Sequence, residues 1–381
     1  GDIGIIGIAA DNTNNVVTIS GVDDTTLLDG FTVRDGIAFG VLGGRGGGLT
    51  IGSGSPTLNN CTFTANSAGA LGGGVYNLNG TPTLIHCTFD GNSADFGGGM
   101  LNHFGSSVLI NCTFTANQAD ERGGGMYELF GDSTLTGCTF NDNFTVAFNS
   151  MGGGMYVHQF GAAFGTANLT NCLFSGNSSN HGGGMMALGV ATLTHCTFSG
   201  NSATLDSGGL SGVFVAPSLT HCILWGNTGV GTLERQQLLV VPGVVDYSCV
   251  EGWTGALGGV GNIGADPLFA DPVGGDYRLT AGSLSIDAGD PTLFFTPGET
   301  DLDGHPRVLC GRVDLGAYEF GIGDFNCDRT VDLLDFSQWD ACMTGPDGGP
   351  YGPGCEAFDF EADGDADFAD FAGFGRVLTG L

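Results

Sequence analysis

One spacing of apolar and polar positions returns seven times along this chain. A leucine (Leu58, Leu84, Leu109, Leu135, Leu169, Leu193, Leu219) is followed three residues later by a cysteine (Cys61, Cys87, Cys112, Cys138, Cys172, Cys196, Cys222). Two residues after the cysteine stands a phenylalanine (Phe63, Phe89, Phe114, Phe140, Phe174, Phe198), with Leu224 in the last copy. Five residues after the cysteine comes an asparagine (Asn66, Asn92, Asn117, Asn143, Asn177, Asn201, Asn227). Cys and Phe have the same parity and share one face of a strand, whereas Leu has the opposite parity. All three point inward only if the chain bends between Leu and Cys. The residue at that bend is Asn60, His86, Asn111, Gly137, Asn171, His195 or His221, and these types tolerate positive φ.

Successive cysteines lie 24 to 34 residues apart, a period of stacked repeat units. With a corner inside each unit, the pattern predicts a mostly β fold, a right-handed parallel β-helix with three short strands per coil over residues 1–265. The asparagines stack into a hydrogen-bonded column. An earlier coil is legible at Leu28, Gly30, Phe31 and Val33. A degenerate last one lies at "DYSCVEG", with Cys249 expected in the cysteine column. The strand-like opening "GDIGIIGIAA" suggests further coils before it. Insertions at 138–152 and 152–172 mark loops on one side.

After each glycine triplet a strand begins. Its first column (Val75, Met100, Met126, Met155, Met185, Leu210) reads as core. The next (Tyr76, Leu101, Tyr127, Tyr156, Met186, Ser211) has outward parity, so Tyr76, Tyr127 and Tyr156 form an expected surface stripe on which polysaccharide rings can stack. The repeat phrase "CTFTANSAGALGGGV" resembles the glycine-rich repeats of polymorphic outer membrane proteins, a bacterial surface family, over roughly residues 25–250. That resemblance implies a pectin-lyase-like solenoid, secreted or at the cell surface. The first reading is an extracellular or cell-surface structural and adhesive protein; the alternative is a carbohydrate-active enzyme, since proteins of this shape include polysaccharide lyases and glycoside hydrolases. The acids nearest the glycine triplets are Asp95, Glu121 and Asp206, which read more simply as loop-edge residues. The cysteine column reads as a ladder of small buried thiols rather than a metal or redox site.

Charge sharpens the picture. The chain of 381 residues has a formal net charge of −31, with nine arginines and no lysine. That composition disfavours nucleic acid and anionic membrane as partners, and no apolar run is long enough to span a bilayer. The sequence has no initiator methionine or leader-like segment, and reads as a mature or truncated piece.

Residues 266–320 break the period with "DPLFADPVGGDYRL", "SIDAGD", "DLDGHPR" and "VDLGAYEF". This segment resembles the choice-of-anchor Q domain found after bacterial β-helix repeats, and is expected to cap the solenoid end. Residues 321–381 carry two aligned copies, "DFNCDRTVDLLDFSQWDACMTG" and "DFEADGDADFADFAGFGRVLTG". Oxygen-bearing side chains at loop positions 1, 3, 5, 9 and 12, with a backbone carbonyl at 7, match the EF-hand calcium spacing. The first loop offers Asp324, Asn326, Asp328, Thr330, Asp332 and Asp335; the second offers Asp359, Glu361, Asp363, Asp365, Asp367 and Asp370. The apolar residues that follow (Leu334, Phe336, Trp339; Phe368, Phe371, Phe374) suit a short helix facing its twin, and a Cys342–Cys355 disulfide is expected to tie the first helix to the linker. Two loop–helix units with Asp at position 12 resemble a type I dockerin, a small α-helical calcium-binding domain. The resemblance implies calcium as the bound ion and a cohesin-like docking partner. Arg329 stands where such a loop usually has glycine, and Leu333–Leu334 and Phe368–Ala369 replace the usual Ser/Thr pair. No catalytic residue is assigned.

Overall fold

A computed structural model describes residues 16–377 except 40–43, 161–162, 214, 241–243, 293–298, 345–349 and 353–354. The strand-like opening text at 1–10 lies outside the described residues. Among the described residues, nine coils stack in parallel. Face A starts with Val17–Ile19 and Leu49–Ile51 and continues through Met100–His103 and Met126–Leu129 to Leu238–Val240. Face B runs from Leu27–Asp29 to Val245–Asp246, and face C from Thr32–Arg34 to Cys249–Val250. A fourth, seven-stranded ladder from Ile37–Ala38 to Ser202–Ala203 precedes the glycine triplets. Most coils therefore have more than the three strands that the spacing predicts. The extra strands are mostly two residues long, too short to leave an alternation.

The expected corner between faces B and C is present. Asn60, His86, Asn111, Gly137, Asn171, His195 and His221 all have φ between 50° and 62°. The turn puts Leu, Cys and Phe into one core, and all seven cysteines of the column are buried and unpaired. Their thiols point at carbonyls of the preceding coil, as Cys87 Sγ does at Leu58 O, 3.4 Å away. The phenylalanines stack face to face: Phe89 and Phe114 lie 4.4 Å apart and Phe114 and Phe140 4.7 Å apart, with rings within 3° of parallel. In the asparagine column, Asn92 Nδ2 donates to Asn117 Oδ1 (2.9 Å) and to Phe63 O (2.8 Å). The column ends at Gln237 Oε1, which accepts from Asn227. Gln237 lies on a one-turn helix, Leu233–Gln237. The triplets are glycine because coils touch there: a Cβ on Gly98 would meet Gly124 O at 2.5 Å, while Gly97 takes φ 66°.

Three expectations about the coils are corrected. Cys249 is not in the cysteine column. It pairs with Ile223, so Ser248 stands opposite Cys222 and brings no thiol to the core. The loop before the last coil shifts the register by one, and Cys249 faces outward into a separate apolar cluster with Ile223, Leu279, Ile286 and Leu315. The tyrosine stripe is not a surface. Tyr76, Tyr127 and Tyr156 do point away from the coil axis, yet they are 1–3% exposed. Leu71, Phe96 and Met151, all preceding glycine triplets, and Leu78 and Leu129 pack over them. The Arg45 guanidinium lies over the Tyr76 ring and that of Arg122 over Tyr156, each 5.7 Å from the centroid. These tyrosines leave no flat aromatic face for a sugar.

The third correction concerns residues 266–320. The end of the core is covered by Trp253 and Leu257, which pack against the main cluster. The described residues of 266–320 instead lie against the outward side of face C at its last coils, as a lateral strap. Ala317 N donates to Thr197 Oγ1 (3.0 Å), Gly316 N to His221 O (2.8 Å) and Asp290 N to His221 Nε2 (3.0 Å). Arg307, 2% exposed, anchors the strap. Its Nη2 donates to His195 Nδ1, Asp314 O and Gly316 O, and its Nε faces Glu319 Oε2 at 3.5 Å. Burial pushes Asp314 up to about 7 and Glu319 well above the usual carboxylate range.

Candidate metal centre

Following the strap, residues 321–377 form a small unit with its own apolar centre: Trp339, Cys342, Cys355, Phe358, Ala366 and Phe374. Its helices are short, Leu333–Phe336, Trp339–Cys342 and Phe368–Val377. The twin faces meet: Phe336 lies 6.0 Å from Phe371, and Trp339 lies 5.9 Å from Phe374. Leu334 and Phe368 do not join them and are 65% and 68% exposed. Cys342 pairs with Cys355, as expected, and Cys310 pairs with Cys327.

Both twelve-residue loops are folded by the same set of backbone amides. The acid at position 1 accepts from the amides of positions 5 and 6. For Asp324 these are Asp328 N (3.1 Å) and Arg329 N (2.7 Å); for Asp359 they are Asp363 N and Gly364 N, both 3.0 Å. The acid at position 12 accepts from position 9: Asp332 N to Asp335 (2.9 Å) and Asp367 N to Asp370 (2.7 Å). Asp335 also accepts from Asn326 N and Asp370 from Phe360 N. Position 6 takes positive φ in both, 69° at Arg329 and 91° at Gly364. Positions 1 and 12, which hold each loop together, are buried. Asn326, Asp328, Thr330, Glu361 and Asp363 are exposed, while Asp332, Asp365 and Asp367 are half-buried.

In the second loop the structure brings Glu361, Asp367 and Asp370 together, one carboxylate oxygen of each lying within 4.8 Å of the others. Burial, then the neighbouring carboxylates, holds Glu361 above the usual range. Burial likewise raises Asp324 and Asp359, against the amide hydrogen bonds that favour their ionised forms. The donors are all oxygens, several are carboxylates, and no basic side chain lies within the second loop. That is the chemistry of a site for a hard divalent cation, with the flexible, high oxygen count that suits calcium.

The acids weighed as hydrolytic candidates are placed differently. Asp206 is 6% exposed and fully engaged: it accepts from Gly182 N (2.9 Å) and Ser211 Oγ (3.2 Å) and pairs with His181 Nδ1 (2.9 Å). Asp95 and Glu121 flank a register shift between neighbouring coils. Burial raises Asp95, and Asp120 and Glu121 raise it further. Sequence reasoning missed a second polar column. Asn102 Nδ2 donates to both oxygens of the fully buried Glu128 (2.9 and 3.1 Å), and Ser133 Oγ bonds the same carboxyl. The signal was a lone acid on a strand whose neighbours at that column are asparagines.

No helix among the described residues is long and apolar enough to cross a membrane. No curated protein sequence matches this chain. A pectate lyase, Pel9A, whose crystal structure is solved, superposes with a TM-score of 0.41 at 13% identity, covering 71% of this chain and 72% of that one. The family described as "Right handed beta helix region" matches residues 6–203, more than half of the chain. With nine parallel coils among the described residues, a left-handed residue at each B–C corner of the repeat and one continuous core, the chain belongs to the right-handed β-helix family.

Proposed function

We propose that this is a structural and adhesive β-helical rod of the bacterial cell surface or exterior, carried to its place by residues 321–381. Those residues bind calcium and dock the rod on a cohesin-like partner, in the manner their resemblance to a type I dockerin implies. The observation that carries this reading is the duplicated loop: two twelve-residue turns with the same amide pattern, each presenting oxygen donors at the same positions. Bound calcium would offset the repulsion among the six acids of residues 359–370. Asp324, Asn326, Asp328, Asp332 and Asp335 would hold one ion and Asp359, Glu361, Asp363, Asp367 and Asp370 the other, with the carbonyls of Thr330 and Asp365. An ion that binds only the folded form stabilises it, by about 2.7 kcal/mol at a hundredfold excess over its dissociation constant.

The test is isothermal titration of the full chain with calcium, followed by retention on a panel of immobilised cohesin modules with calcium and with chelator. Calcium-dependent retention that is abolished by Asp359→Ala with Asp370→Ala supports the reading. A chain that takes up no calcium at millimolar concentration refutes it.

A further inference from the structure

The two loops share their amides but differ in what holds them. In the second, position 4 is Ala362 (φ 54°) and position 6 is Gly364 (φ 91°). Nothing crowds Gly364, so glycine serves there through its φ alone. In the first, position 4 is Cys327 (φ 59°) and position 6 is Arg329 (φ 69°). Position 4 carries a side chain at positive φ in both loops, so backbone strain sets the first loop apart only at position 6, where Arg329 replaces glycine. Both Cys327 and Arg329 are fixed from outside the loop. Cys327 is bonded to Cys310 of the strap, and Arg329 Nη2 lies 3.5 Å from Asp287 Oδ2, also on the strap. Cys327 sits between Asn326 and Asp328, the ligand positions 3 and 5. Asn326 Oδ1 accepts from Asp328 N across it (2.9 Å).

We infer that the first cation site is built from two segments: the strap residues Cys310 and Asp287 position its loop, and opening the Cys310–Cys327 disulfide weakens cation binding at that loop alone. This rests on the calcium reading above. The second loop meets the strap loosely, through His305 Nε2 and Phe360 O 3.5 Å apart, and holds no cysteine, so it has no disulfide to open and serves as an internal reference. The two disulfides also differ in access. Cys327 is exposed, whereas Cys342 and Cys355 are 3% and 8% exposed in the apolar centre. An exposed bond meets a thiolate sooner. A dithiol reductant attacks one sulfur, forms a mixed disulfide, and closes to its own cyclic disulfide. Cys310 and Cys327 leave as thiols, taking the two protons the dithiol gives up.

The experiment is calcium titration of the full chain in three forms: oxidised, Cys310→Ser with Cys327→Ser, and Asp359→Ala with Asp370→Ala. The oxidised chain is expected to bind two ions. The double-serine variant keeps one with unchanged affinity and binds the other at least about tenfold more weakly, the factor that 1.4 kcal/mol of lost positioning produces. The double-alanine variant keeps only the first-loop ion, and a mild dithiol weakens that ion by the same factor, reversibly on reoxidation. Asp287→Asn weakens the same site to a lesser degree. If the oxidised chain binds no calcium, the calcium reading itself fails. If it binds two ions and the double-serine variant binds both as tightly, only this inference is overturned. Loss of both ions in that variant, or a double-alanine variant that binds none, also overturns it.

Discussion

Replacing Glu128 by glutamine should make the rod more stable at alkaline pH and leave it unchanged at acid pH. Glu128 is fully buried on face A, and its two oxygens accept from Asn102 Nδ2 and Ser133 Oγ. Burial pushes the carboxyl from its ordinary 4.5 up to about 8; the hydrogen bonds oppose the rise and the nearby charge of Asp132 adds to it. Between these values the folded chain holds a proton that the unfolded chain has released. By linkage, this contribution to stability is fully present below about pH 4.5 and is lost as pH rises through about 8. Each pH unit of that window is worth about 1.4 kcal/mol, so the loss across it is on the order of 5 kcal/mol. Glutamine is neutral throughout: its oxygen accepts from Asn102, and its amide donates to Ser133 Oγ, which turns from donor to acceptor as it must toward the protonated acid. Urea unfolding followed by circular dichroism, at half-unit steps from about pH 4.5 to about 9, measures both chains. The two curves should lie within about 1 kcal/mol of each other at about pH 5 and diverge by roughly 3–5 kcal/mol at about pH 9. Asp314 and the strap acids titrate alike in both proteins and cancel in the difference. Parallel curves would refute the argument.

Three further outcomes test other parts of the molecule. The seven column thiols and Cys249 should resist an aromatic disulfide reagent in the folded chain, and eight thiols should react after denaturation without reductant; fast reaction of several in the folded state would break the picture of a closed ladder. Arg307→Ala leaves the buried acceptors His195 Nδ1, Asp314 O and Gly316 O without their donor and should cost about 3 kcal/mol or more, seen as faster amide exchange over 313–320 with no change at the second to fifth coils. Phe114→Ala opens a gap between Phe89 and Phe140 and should cost about 3–5 kcal/mol, measured as a lower thermal midpoint; an unchanged midpoint would mean the stack contributes little.

The coils were legible because every one repeats the same demand. A corner at Asn60 or His86 must take positive φ, and the residues around it must fill the same core slots, so one-dimensional spacing carries three-dimensional register. The same logic failed wherever a contact joins residues that do not repeat. Parity correctly turns Tyr127 away from the axis, but whether it meets water depends on residues such as Phe96 and Met151, which lie outside its own strand. Cys249 looked like an eighth rung because a cysteine stood where the period runs out. Its register is set by a loop of different length, and pairing with Ile223 decides its side. The two matching turns of the tail were readable, since the amides that fold each of them are local. Their attachment was not: the partner of Cys327 lies 17 residues back, on a segment whose path over face C leaves no periodic trace.

That path decides how the molecule meets a mechanical load. Hydrogen bonds between coils run along the rod, so tension applied at its last coil would open them in sequence, as a zipper opens. The strap instead leads to the tail along the flank, fastened to Asn171, Thr197, His221 and Ile223 on the sixth to eighth of the nine coils. Tension on residues 321–377 is then shared as shear among several rungs, and rupture requires the fastenings to fail together.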